Sequence, residues 1–228
     1  MRLRIEKNRH RLSGIHTAAK FLTELVPQGR GAIDAGAYLG LYSYWISRNA
    51  SVVHSFEPNP VIFETLKSAA NRKIRAYNIG LSDRERRATL HVPIQAAGDS
   101  TLNAVGYTNT IRQEVPVELR TLDSFEFADI GFIKIDVEGH ETELLQGAIE
   151  TIQRERPVIF IELEERHKAG VVLETVRWMN DVLGYTETQF LKYGRLHPIS
   201  EFNATDDQLR LSSTPSSPAY VNNFLFRP

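Results

Sequence analysis

The sequence predicts an α/β domain with a mostly parallel sheet, helices on both faces and an antiparallel last strand. Three observations predict it. From residue 32 to about residue 183, short β-branched runs alternate with helical patterns, the signature of a sheet built by crossover connections. Four of those runs stay apolar until an acid closes them, at Asp34, Glu57, Asp136 and Glu162. The last two strand-like runs, 184–192 and 220–226, are joined without a crossover helix, so they should run antiparallel.

The elements follow in order. A first strand ends at Asp34 and turns through Gly36, Ala37, Tyr38 and Gly40 into a helix from about 39 to 48. A second strand, 52–56, ends on Glu57 and passes through Pro58-Asn59-Pro60 into a helix over 61–70; Pro60 suits a helix start, where its missing N–H costs nothing. The third strand spans 74–79 and leads to Gly80 and Leu81. Two short extra strands, 87–92 and 115–119, flank a small polar loop at 96–103 that reads equally as a lid or as a plain solvent loop. Alternation resumes with strand 132–136, a helix over 141–155, strand 157–162, a helix over 172–183 and strand 184–192. A Ser- and Pro-rich connection, 200–218, precedes the last strand. Before all of this, residues 1–30 read as a basic leader followed by an amphipathic helix carrying Ile15, Ala18, Ala19, Phe21, Leu22 and Leu25 and stopping before Pro27. Residues 31–228 then form the working domain.

Composition bounds the function. A chain of 228 residues suits one α/β domain with a sizeable core. A formal net charge of −1 gives no electrostatic footprint for nucleic acid. Cys is absent, which removes disulfides, thiolate zinc sites and cysteine nucleophiles together. No apolar run reaches the length of a membrane span, and the first residues lack a signal-peptide core, so a cytoplasmic location is expected.

The turn after the first strand carries the chemistry. Ligands of open α/β sheets sit beyond the carboxyl ends of the strands, where Asp34 and Glu57 lie. Gly36 and Gly40 allow a sharp turn and a close backbone approach. A dinucleotide fingerprint would need one more glycine, and an acid before the turn repels a pyrophosphate. S-adenosylmethionine has a sulfonium, an ammonium and no phosphate, so it fits the acid-first pattern better. Glu57 would accept hydrogen bonds from both ribose hydroxyls.

The stretch Asp136-Val137-Glu138-Gly139-His140-Glu141 is the second strong signal. Stability alone offers little reason to crowd Asp136, Glu138 and Glu141, because like charges repel. Glu141 reads as a helix-start acid. Glu138 reads as a loop cap or a site residue, and His140 as an exposed loop residue or a base. Glu162 ends the next strand; if the two strands are neighbours, their acids sit on backbones about 5 Å apart. Asp136 and Glu162 could then share Mg²⁺ or Mn²⁺, or one could act as a base toward a hydroxyl.

Taken together the chain resembles the FkbM-type methyltransferases. The resemblance rests on IDAGAYLGLYS (33–43), FEPNP (56–60), NIGLSD (78–83), TLDSF (121–125), IKIDVEGHE (133–141), PVIFIELE (157–164) and NNFLF (222–226). It implies a Rossmann-like seven-stranded methyltransferase fold and methyl transfer from S-adenosylmethionine, usually to a hydroxyl of a sugar, glycolipid or polyketide. By position it implies that Asp34, Gly36, Gly40 and Ser43 line the methionine moiety. Glu57 would hold the ribose and Asn78 and Leu81 the adenine, while Asp136 and Glu138 face the reacting centre. The family usually has Asn where this chain has Tyr38. The expected enzyme is an O-methyltransferase with Asp136, Glu138, His140 and Glu162 as catalytic candidates and a small-molecule or glycan acceptor. The rival is a non-catalytic module that keeps the fold to bind a nucleoside or a partner protein.

Overall fold

The computed structural model describes residues 21–93, 100–102, 112–215 and 217–228. Its centre is an eight-stranded sheet. In chain order the elements are β1 (Gly31–Ala35), α1 (Leu41–Ile46), β2 (Val53–Phe56), α2 (Pro60–Ala69), β3 (Ile74–Tyr77), β4 (Gly80–Leu81), β5 (Arg86–Pro93), β6 (Arg112–Arg120), β7 (Ile130–Ile135), α3 (Glu141–Gln146), α4 (Ile149–Glu155), β8 (Val158–Glu162), α5 (Val171–Leu183), β9 (Glu187–Lys192), β10 (Arg195–Pro198), α6 (Ala204–Asp207) and β11 (Asn223–Arg227). The main sheet runs β10-β9-β11-β8-β7-β1-β2-β3, with β11 antiparallel to both β8 and β9. The strand order therefore reverses between β1 and β7, and it is beyond the carboxyl ends at such a reversal that open α/β sheets bind their ligands.

β1, β7 and β8 are buried along almost their whole length, as strands covered on both faces must be. On one face Ile33, Ile133, Ile135, Ile159 and Ile161 pack under Leu144, Leu145 and Ile152 of α3 and α4 and under Met179 and Leu183 of α5. On the other, Ala32, Phe132, Phe160 and Leu225 meet Ile46 of α1 and Leu22 and Val26 of the helical stretch 21–25 and its exit. Ile15, Ala18 and Ala19 of the expected leader helix lie outside the described residues, as do 96–99 and Asn103 of the polar loop.

Three expectations are corrected. The main sheet has eight strands, not seven, because Tyr193 (φ 50°) and Gly194 (φ 71°) turn β9 back into the hairpin strand β10. The extra strand β6 pairs with both β5 and β4 in a separate three-stranded sheet, and the third main strand stops at Tyr77 instead of continuing to Ile79. The helix expected over 141–155 is broken at Gly147 and Ala148. A Cβ on Gly147 would lie 1.9 Å from the Ser82 carbonyl oxygen, so this backbone approach both demands glycine and interrupts the helix. The Asp123 carboxylate then starts α4 afresh, accepting the N–H groups of Glu150 at 3.1 Å and Thr151 at 2.8 Å.

Candidate active site

Two loops meet at the crevice. Gly36 (φ 76°) and Ala37 leave β1 and donate their N–H groups to the Phe56 carbonyl at 3.0 and 2.9 Å. Asp136 leaves β7 and donates its N–H to the Ala35 carbonyl at 3.0 Å. A Cβ on Gly36 would sit 1.7 Å from the Asp136 carbonyl oxygen, so only glycine lets the two loops close on each other. Gly40 (φ 82°) is the N-cap of α1, and a Cβ there would press on Leu66 of α2 at 2.7 Å.

Glu57 organises the β2 side. Its Oε2 accepts the Tyr38 N–H at 3.0 Å and its Oε1 the Asn59 N–H at 2.9 Å. Burial pushes its carboxyl up to about 7 against these two hydrogen bonds. Tyr38 holds a left-handed φ of 49° to make its bond, a conformation that asparagine tolerates far better than tyrosine. Asn78 donates to the carbonyls of Glu57 and Pro58, both at 2.9 Å, tying the β3 end to the same loop. Gly80 and Leu81, expected near the adenine, are buried in β4.

Asp34 and Ser43 lie beneath the turn. Both are fully buried, and Ser43 Oγ donates to Asp34 Oδ2 at 2.5 Å while accepting from Ser55 Oγ at 2.8 Å. Asp34 Oδ1 faces Lys134 Nζ at 3.7 Å. Burial raises the Asp34 carboxyl, with Lys134 pulling the other way. Lys134 is itself buried, and its Nζ donates to Asp136 Oδ2 at 3.1 Å. Sequence reasoning missed Lys134 because it sits inside the apolar run Phe132-Ile133-Lys134-Ile135; an unexplained cation in a buried strand was the signal available.

β7 and β8 are parallel neighbours, pairing Ile135 with Ile161, which puts Asp136 and Glu162 side by side at the next step. Carboxylate oxygens of Asp136, Glu138 and Glu162 lie within 4.8 Å of one another, near enough to share a cation. Burial, then the charges of Asp136, Glu164 and Glu138, push the Glu162 carboxyl well above the usual range. Glu138 takes a left-handed φ of 52°, and its carbonyl accepts Thr101 Oγ1 at 2.7 Å, so the described end of the polar loop touches this site. His167, also missed from sequence, places Nε2 3.6 Å from Glu138 and 3.3 Å from Glu164. Burial alone would lower its pKa, but the two carboxylates raise it to about 9.

His140 is placed elsewhere. It is buried, with Nε2 2.9 Å from Ser82 Oγ and Nδ1 3.6 Å from Glu143, and it is not in the carboxylate group around Asp136. Burial pushes its pKa down. Glu141 caps the loop, its Oε1 accepting the Gly139 N–H at 3.0 Å and the Val137 N–H at 3.4 Å.

A mainly parallel sheet that reverses between β1 and β7, with acids closing its strands at that reversal, is a Rossmann-like architecture. The methyltransferase FkbM domain matches residues 34–191, and the chain belongs to that family. The crystal structure of methyltransferase FkbM from Methylobacillus flagellatus has a similar fold, with a TM-score of 0.55 and 16% identity over 87% of this chain and 43% of that one. Methyltransferase 1 of Beauveria bassiana is 26% identical over 53% of this chain and 59% of its own length. The hexuronic acid methyltransferase AglP of Haloferax volcanii is 27% identical over 62% of this chain and 59% of its own length. The matched region thus spans somewhat more than half of each of these two relatives. Among the described residues no helix is long and apolar enough to cross a membrane.

Proposed function

We propose that the chain is an S-adenosylmethionine-dependent O-methyltransferase acting on a hydroxyl of a small molecule or glycan. The observation that carries this reading is the meeting of Asp136, Glu138 and Glu162 beyond the ends of β7 and β8, in the crevice of a methyltransferase family member. The relative named for hexuronic acid methylation favours a sugar-type acceptor.

The residues fit the cofactor. Acids at the strand ends suit a sulfonium and an ammonium, and oppose a pyrophosphate. Each Glu57 oxygen accepts one backbone N–H, from Tyr38 and from Asn59, and has a second lone pair for a ribose hydroxyl. Gly36, Ala37, Tyr38 and Gly40 would wrap the methionine end. Pro58, Asn78, Gly80 and Leu81 would frame the adenine, while Asp34 and Ser43 brace the turn from below.

When bound, S-adenosylmethionine supplies an electrophilic methyl group. This chain must align the acceptor oxygen with that group and take its proton. Asp136, which accepts a hydrogen bond from the Lys134 ammonium, is the base in this reading. Glu162, whose carboxyl burial raises, lies beside Asp136 and would help position the acceptor hydroxyl. Glu138 and His140 hold the loop between them.

The test is a panel of hexopyranosides, glycolipids and macrolides, with turnover read as S-adenosylhomocysteine release and a mass gain of one methyl group on the acceptor. Binding of S-adenosylhomocysteine without turnover on any hydroxyl would favour the non-catalytic module. A divalent cation shared by the three carboxylates is the second reading, favoured by their 4.8 Å spacing. Lys134 already brings positive charge to Asp136, so full activity is expected in EDTA; activity lost in chelator and restored by Mg²⁺ or Mn²⁺ would establish the metal instead.

A further inference from the structure

Asp34 and Lys134 stand directly opposite each other on adjacent parallel strands, and Asp34 is in turn opposite Ser55 on β2. On the same face, α1 lowers Ser43 onto Asp34 and Tyr42 onto Lys134, whose Nζ lies 4.6 Å from the ring centroid. The result is one continuous polar line under the turn: Ser55 to Ser43 at 2.8 Å, Ser43 to Asp34 at 2.5 Å, Asp34 to Lys134 at 3.7 Å, Lys134 to Asp136 at 3.1 Å.

A purely structural ion pair explains only half of this. Lys134 and Asp34 are 4% and 0% exposed at their side chains, but Asp136, just past the end of β7, is 27% exposed. β1 and β7 are already joined by a ladder from Gly31 to Ala35, so the sheet does not need the ammonium to hold together. A buried cation that hydrogen-bonds the one open carboxylate fixes where that carboxylate points, because leaving the ammonium unpaired in the interior is costly. The other end of the line is anchored in α1 and β1, which launch the cofactor turn.

We propose that Lys134 is a positioning residue for methyl transfer: it aims the Asp136 carboxylate at the acceptor and ties that aim to the turn that would hold the cofactor. The inference rests on reading Asp136 as the base.

A double-mutant cycle tests it, using turnover on the acceptor that the panel identifies. Lys134→Met should lower kcat about a hundredfold while S-adenosylhomocysteine affinity stays within about threefold. In an Asp136→Asn background, Lys134→Met should lower kcat no further. Multiplied losses in the double variant, or normal kcat in Lys134→Met, would overturn the inference. Normal kcat in Asp136→Asn would instead remove the base assignment beneath it. If Lys134→Met does not fold because Asp34 is left unpaired, Asp34→Asn/Lys134→Met removes both charges and carries the same comparison. Independently of any acceptor, the ¹⁵Nζ resonance of Lys134 should shift on adding S-adenosylhomocysteine. A resonance unmoved by that ligand would break the link to the turn.

Discussion

The carbonyl oxygen of Asp136 lies 1.7 Å from where a Cβ of residue 36 would be, so the turn after β1 and the acid loop after β7 can adjoin only because Gly36 is glycine. The same residue has φ 76°, a second reason that a side chain is excluded. Gly36→Ala should destabilise the fold by at least about 3 kcal/mol, summing backbone strain and the displaced loop. Calorimetric melting should drop by about 6–12 °C. A variant that melts with the wild type would mean the loops are not in this contact.

Tyr38 predicts the opposite sign. Its φ of 49° strains a bulky residue to deliver one N–H to Glu57. Tyr38→Asn keeps that N–H and relieves the strain, so stability should rise by about 1 kcal/mol. An unchanged or lower melting temperature would show that the exposed ring contributes packing that offsets the strain.

These two positions show what the sequence made legible. The acids closing β1, β2, β7 and β8 could be read from apolar runs, because a buried parallel strand has few ways to end on a charge, whereas the order of those strands in the sheet could not. Lys134 could not be placed, since its partner Asp34 lies a hundred residues away and only strand register sets them opposite each other. The break at Gly147 was hidden for the same reason: it answers to the Ser82 carbonyl, not to any neighbour in sequence. Asp123 was legible as part of a family motif, but its work as the cap of α4 needed coordinates. The site role of His140 rested on proximity along the chain, and the structure sends its side chain to Ser82 and Glu143, whereas Glu138 stays with Asp136 and Glu162.

Glu57 should govern cofactor affinity. Its two oxygens already hold the Tyr38 and Asn59 amides in place, at the site proposed for the ribose. Glu57→Ala should weaken S-adenosylhomocysteine binding by about 2–4 kcal/mol, the loss of charge-assisted hydrogen bonds to two hydroxyls. Isothermal calorimetry showing unchanged affinity would sink the assignment.

His167 gives a pH signature. Its folded-state pKa, raised to about 9 from 6.5 by Glu138 and Glu164, means the folded protein binds the proton more tightly than the unfolded chain. The resulting stability is fully present below 6.5 and is lost as pH rises through 9. The melting temperature of the wild type should therefore exceed that of His167→Gln most strongly near pH 6.5, with the gap closing by pH 9. A gap constant across that range would place the stabilisation in packing instead of charge.

Asp136→Asn tests the central claim most directly. Asparagine is nearly isosteric and can still accept the Lys134 hydrogen bond, so the melting temperature should stay within a few degrees of wild type. Methyl turnover at saturating S-adenosylmethionine, measured on the acceptor selected from the panel, should fall at least about a hundredfold through loss of the base. Turnover at the wild-type rate by a folded Asp136→Asn protein would contradict the account.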